Sequence, residues 1–149
     1  MALILLINGP NLNNLGNRAP ELYGSTTLAD VESAVAERAS ELGHDVRAFQ
    51  SNHEGAIVDF IQEHGPSADG VIINAGALTQ VGYSILDALL DAGVKVMEVH
   101  ISNIHAREEF RRRSVFAPYA VGQIAGLGWR GYLYALEGLS HEFAAESGN

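Results

Sequence analysis

At 149 residues and 15.9 kDa the chain has room for one domain, taken as 1–149, with a core that needs no staples. It has no cysteine, which excludes a disulfide framework, a thiolate metal site and a cysteine nucleophile. Nine Lys and Arg against eighteen Asp and Glu give a formal charge of −9, which argues against a nucleic-acid or anionic-membrane partner but not against a small anionic substrate met by a few local arginines.

Apolar runs and helical patterns alternate from the start. Ala2 to Ile7 is a continuous apolar run closed by Asn8-Gly9-Pro10, the signature of a buried strand with a turn behind it. Thr27 precedes Leu28, Val31, Val35, Ala39 and Leu42, spaced as one helical face. Thr27 with Asp30 forms a capping-box pattern, and Gly43 suits the position just past the helix end. Asp45 to Gln50 reads as a short strand, and Ile57, Phe60 and Ile61 mark a helix that stops before Gly65-Pro66. Gly70 to Ile73 is a strand ending at Asn74. Ile85, Leu86, Leu89 and Leu90 mark a helix stopped by Gly93. Val94 to Val99 and Ala120 to Ala125 are the last strands, and Tyr132, Leu133, Leu136, Leu139 and Phe143 share one side of a final helix.

Five strands alternating with helices predict an α/β fold, a parallel sheet covered on both faces. The strand number suits a flavodoxin-like three-layer sandwich of order 2-1-3-4-5. Its ligands would bind beyond the carboxyl ends of the strands, beside strand 1, where the order reverses. The loops after strands 1, 3 and 4 are therefore where a site is expected. No apolar run reaches membrane-spanning length, and the opening MALILLINGPNLN lacks a basic leader, so a soluble cytoplasmic protein is the expectation.

About twenty residues separate strand 1 from the first helix, and loops that long are commonly functional. This one carries Asn8, Asn11, Asn13, Asn14, Arg18 and Tyr23. It reads either as an irregular loop with turn-forming asparagines or as a lid bringing a phenol beside a guanidinium, which would make tyrosinate accessible as a base. After strand 3, Asn74 suggests a polar contact, while Gly76 suits a tight turn as well as a backbone approach to a ligand. After strand 4, Glu98 and His100 lie two apart and share a face, so the carboxylate can orient the imidazole. A lone histidine is as compatible with a structural role. Ser102-Asn103 offers amides and a hydroxyl to a carboxylate. Arg107 and Arg111 share a face if their segment is helical, and Arg111-Arg112-Arg113 is either a solvated run or an anion receptor. No dinucleotide or P-loop glycine pattern is present, and the histidines lack metal-ligand spacing. A flavin-phosphate loop would want hydroxyl residues where asparagines stand after strand 1, and a phospho-receiver would want an aspartate where Asn74 stands.

Taken in order, NGPNLN (8–13), R-x-P-E-x-YG (18–24), QSNHEG (50–55), the Asn74 turn, EVHISN (98–103) and the AREEFR block with Ser114 resemble the type II 3-dehydroquinate dehydratases over nearly the whole chain. The resemblance implies a cofactor-free trans-dehydration of 3-dehydroquinate to 3-dehydroshikimate through an enolate. It also implies a homo-oligomer, a dodecamer built as a tetramer of trimers. Position by position it implies Tyr23 as the base, Arg18 as the cation that keeps it acidic, and Asn11 as holder of a water on the enolate oxygen. His100 would be the general acid, with Glu98 beside it. Asn74 with Ile101 and Ser102 would hold the carboxylate, and Arg111 a ring hydroxyl. Arg107 would supply site charge, and Asp87 would reach a neighbouring subunit's site. The family's substrate-contacting histidine after strand 3 is Gln80 here, and its pair of histidines before Ser114 is Arg112-Arg113, so recognition of the substrate hydroxyls is where this chain departs. The rival expectations are a divergent, non-catalytic binder of a cyclic hydroxy-acid on the same scaffold, and a flavodoxin-like electron carrier.

Overall fold

The computed structural model describes residues 1–17, 21 and 24–148. Among these, five strands and four α-helices follow one another: β1 (Leu3–Asn8), α1 (Leu28–Glu41), β2 (Asp45–Gln50), α2 (Glu54–His64), β3 (Gly70–Asn74), α3 (Tyr83–Ala92), β4 (Lys95–His100), β5 (Gly122–Ala125) and α4 (Gly131–Ser147). All strand pairs are parallel, in the order β2-β1-β3-β4-β5. This is the flavodoxin-like arrangement.

Each strand sends alternate residues to opposite faces. On one face Ile4, Leu6, Ile72, Met97 and Val99 pack against α1 and α4 through Val31, Val35, Tyr132 and Leu136. On the other, Leu5, Ile7, Val71, Ile73 and Val96 meet α2 and α3 through Ile57, Ile61, Ile85 and Leu89. β1 and β3 are buried on both sides, which is why they read as unbroken apolar runs. No described helix is long and apolar enough to cross a membrane.

Local signals decide the helix ends. Thr27 accepts from the Asp30 amide while Asp30 accepts from the Thr27 amide, closing the capping box at α1. Gly93 ends α3 at φ 69°, in the left-handed region. The fifth strand is shorter than expected because Ala117–Tyr119 forms a 3-10 turn and the Ala120 amide bonds back to Phe116. Leu90, expected on the core face of α3, stands outward and half-exposed.

Candidate active site

The carboxyl ends of β1, β3 and β4 open on one cleft of about 160 Å³, small but lined by polar and charged side chains. It lies beside β1, where the strand order reverses. Asn11, Leu12, Asn74, Gln80, His100, Ile101, Ser102, Arg107 and Arg111 line it. The loops after strands 1, 3 and 4 thus meet, as the topology requires.

The floor depends on a close approach of two strand ends. The Gly9 amide donates to the Asn74 carbonyl at 2.8 Å, and a Cβ on Gly9 would stand 2.4 Å from the Ala75 carbonyl oxygen, so only glycine fits. Two residues on, Asn11 adopts a left-handed backbone at φ 69°, the one non-glycine residue to do so among those described. Its amide is held by the Asn52 side chain at 2.9 Å, and Gln50 ties the Gly9 carbonyl at 3.1 Å. Strain held by surrounding contacts is characteristic of functional loops. The 50–52 segment therefore supports the asparagine loop from β2. Ser51 bonds the His53 amide at 3.0 Å, and His53 itself makes no side-chain cap.

Beneath the cleft a polar network crosses the core. The Asn74 side-chain oxygen accepts from the Gly76 amide at 3.2 Å, its nitrogen donates to the Tyr132 hydroxyl at 2.9 Å, and that hydroxyl donates to Asn8 at 2.6 Å. The Gly76 amide can only donate, so it fixes the direction of every bond in the series. Asn74 is left with one amide hydrogen uncommitted. Burial pushes the Tyr132 phenol well above its ordinary value, outweighing the Asn74 hydrogen bond that lowers it, so it stays a neutral hydroxyl.

The opposite wall is ionic. β4 runs through His100, so Glu98 and His100 share a face, and His100 Nε2 bonds Glu98 Oε2. Both are buried, Glu98 at 1% exposure and His100 at 6%. The other Glu98 oxygen accepts from the Ser114 hydroxyl at 2.8 Å. A carboxylate so held fixes the orientation of the imidazole.

Arg107 and Arg111 both reach the cleft, but Arg107 just follows the 3-10 turn Ile104–Ala106 and Arg111 ends a separate turn, Glu109–Arg111, so they do not share one helical face. Glu108 stands between them, 3.2 Å from Arg111 Nε and 3.9 Å from Arg107 Nε. Its own backbone N–H and the two guanidiniums hold its carboxyl below the ordinary range. Gln80 lines the cleft and donates to the Arg111 carbonyl at 3.2 Å, tying the arginine loop to the turn before α3.

A family profile described as Dehydroquinase class II matches residues 2–140. The chain belongs to this family. It is 56% identical over 136 residues to a 3-dehydroquinate dehydratase of Roseiflexus castenholzii, covering 91% of this chain and 87% of that protein. It is 54% identical over 140 residues to the catabolic 3-dehydroquinase 1 of Aspergillus terreus, covering 94% and 92%. Among solved structures, the type II dehydroquinase of Propionibacterium acnes superposes with a TM-score of 0.89 at 42% identity, over 95% of this chain and 97% of that one.

Within this dehydroquinase, Tyr23 and Arg18 lie outside the described residues. Asp87 sits exposed on α3 and is absent from the lining of its own chain's cleft. The sequence leaves three residues, two of them already in its motifs, without the supporting roles the structure gives them. Tyr132 was indistinguishable from the apolar face around it, Asn8 from turn-forming asparagines, and Ser114 from the arginine run it follows. A hydroxyl on an otherwise apolar helix face was the available signal for Tyr132.

Proposed function

We propose that this chain is a type II 3-dehydroquinate dehydratase working through an enolate. The observation that carries the reading is the buried, carboxylate-held imidazole of His100 in one cleft with Arg107, Arg111 and the Asn74 amide. In the reaction a C–H bond beside the ketone breaks and its proton passes to Tyr23, whose phenolate Arg18 stabilises. Electrons move into the enolate oxygen, facing a water held by Asn11. The enolate re-forms the ketone as the C–O bond on the next carbon breaks, and His100 gives the departing hydroxyl its proton, so that water leaves. Asn74, Ile101 and Ser102 hold the substrate carboxylate, and Arg111 and Gln80 face its ring hydroxyls.

The same reading includes a dodecameric assembly in which Asp87 serves a neighbour's cleft. Exposed Tyr83 and Leu90 on α3, the helix that carries Asp87, support a contact there. The same reading places the chain in the cytoplasm. The test is the ultraviolet absorbance of the conjugated enone formed from 3-dehydroquinate. Turnover is expected. Binding of the compound with no enone formed would overturn the reading in favour of a non-catalytic binder of cyclic hydroxy-acids. Light scattering tests the assembly, and a fully active monomer would remove Asp87 from the site.

A further inference from the structure

We infer that Ser114 is a positioning residue for the His100 acid, acting through Glu98. Its hydroxyl oxygen accepts from two backbone amides, Phe116 at 3.1 Å and Ala117 at 3.0 Å. Both donors are unambiguous, and together they fill the two lone pairs of the hydroxyl. The O–H has one direction left, toward Glu98 Oε1 at 2.8 Å. That oxygen therefore accepts and carries no proton. The other, Oε2, is bonded to His100 Nε2, which leaves Nδ1 as the ring nitrogen for a ligand in the cleft. The polarity of the acid is thus set at the backbone of residues 116 and 117 and passed through Ser114 and Glu98 to the imidazole. Donation from two amides also polarises the hydroxyl and strengthens its bond to the carboxylate.

Without the hydroxyl, Glu98 Oε1 is a buried carboxylate oxygen with no donor, and the carboxylate loses the contact that fixes its orientation against His100. Ser114 itself is not part of the cleft lining, so substrate binding is not its direct business.

This inference rests on His100 being the acid, and the experiment separates the two claims. Steady-state kinetics are measured for Ser114→Ala, Ser114→Thr and His100→Ala. Deuterium uptake from heavy water, at the carbon beside the ketone, is followed in recovered 3-dehydroquinate. For Ser114→Ala we expect kcat to fall about 10- to 100-fold, the effect of one hydrogen bond to a charged group. KM should stay within about threefold, and deuterium uptake should continue, because enolate formation does not use His100. Ser114→Thr, which keeps the hydroxyl, should restore kcat to within about threefold. A purely structural role would lower uptake and elimination together, and that result would overturn the inference. Wild-type kcat in Ser114→Ala beside an inactive His100→Ala would also overturn it, leaving the acid in place. Wild-type turnover in His100→Ala would instead overturn the assignment of the acid.

Discussion

Tyr132→Phe removes one oxygen atom from a fully buried position and should be among the costliest single-atom changes in the protein. The hydroxyl makes two bonds, at 2.6 Å to Asn8 and 2.9 Å from Asn74, and both partners are themselves buried. Phenylalanine keeps the ring packing and strands an acceptor and a donor. An unsatisfied buried polar group costs about 1–3 kcal/mol, so with partial relaxation the loss is about 2–4 kcal/mol. For a chain of this length that lowers Tm by about 4–16 °C. The pH dependence is distinctive. A free tyrosine ionises near 10, while burial raises the phenol in the native state, so above about pH 10 the unfolded chain binds fewer protons than the native one. Stability supplied by the hydroxyl is whole below that pH and is lost at about 1.4 kcal/mol per pH unit above it. The gap between wild type and Tyr132→Phe should therefore narrow as pH rises past about 10. Urea melts of both proteins at about pH 8 and about pH 11 measure this. Because the hydroxyl also anchors the Asn74 side-chain nitrogen beneath the cleft, kcat/KM should fall about tenfold at neutral pH. A stability difference under about 0.5 kcal/mol, or one that does not change with pH, would refute the reasoning.

Tyr23→Phe should lower turnover about 10²-fold or more with folding intact, and near wild-type turnover would remove Tyr23 as the base. Gln80→Ala frees the Arg111 carbonyl and should raise KM about fivefold with kcat little changed, the worth of one neutral hydrogen bond; an unchanged KM would mean the arginine loop holds itself. Thr27→Ala opens the capping box and should cost about 1 kcal/mol in urea melts without altering kinetics, and a change in KM would tie α1 to the cleft.

The sheet was legible because its signals are local and repeated. Ala2 to Ile7 and Gly70 to Ile73 are apolar without alternation, which only a strand buried on both faces requires, and the crossover helices carry one apolar stripe each. Strand order and the placing of the cleft follow from packing rules on those elements. Glu98 with His100 was legible for the same reason, since period two puts them on one face. Legibility fails where contacts are long-range or the backbone is irregular. Ser114 reaches Glu98 across sixteen residues and Tyr132 reaches Asn8 across 124, and no periodicity encodes such pairs. Arg107 and Arg111 are four apart, which suggests a helix. Instead Ile104–Ala106 and Glu109–Arg111 form separate 3-10 turns, the first started by the Asn103 side chain, and the arginines meet at the cleft by loop geometry.

The overall charge illustrates how far composition reaches into function. A formal −9 argues against polyanionic partners, yet four of the nine cationic residues fall within 107–113, against only Glu108 and Glu109 there. Screening at physiological salt confines most exposed charges to within about 8 Å, so a carboxylate ligand at the mouth of the cleft responds to Arg107 and Arg111 rather than to the acidic remainder of the surface. Glu108 offsets part of that field, but its low-lying carboxyl keeps it charged and it braces Arg111 at 3.2 Å, exchanging some attraction for a fixed position. The buried Glu98 lies deeper, with one oxygen on His100 and the other on Ser114. A ligand in the cleft therefore meets cationic groups at the mouth and a carboxylate-held imidazole behind them, the proton donor of the proposed reaction. A small hydroxy-acid needs that arrangement if its carboxylate is to be gripped while its hydroxyl is protonated and expelled.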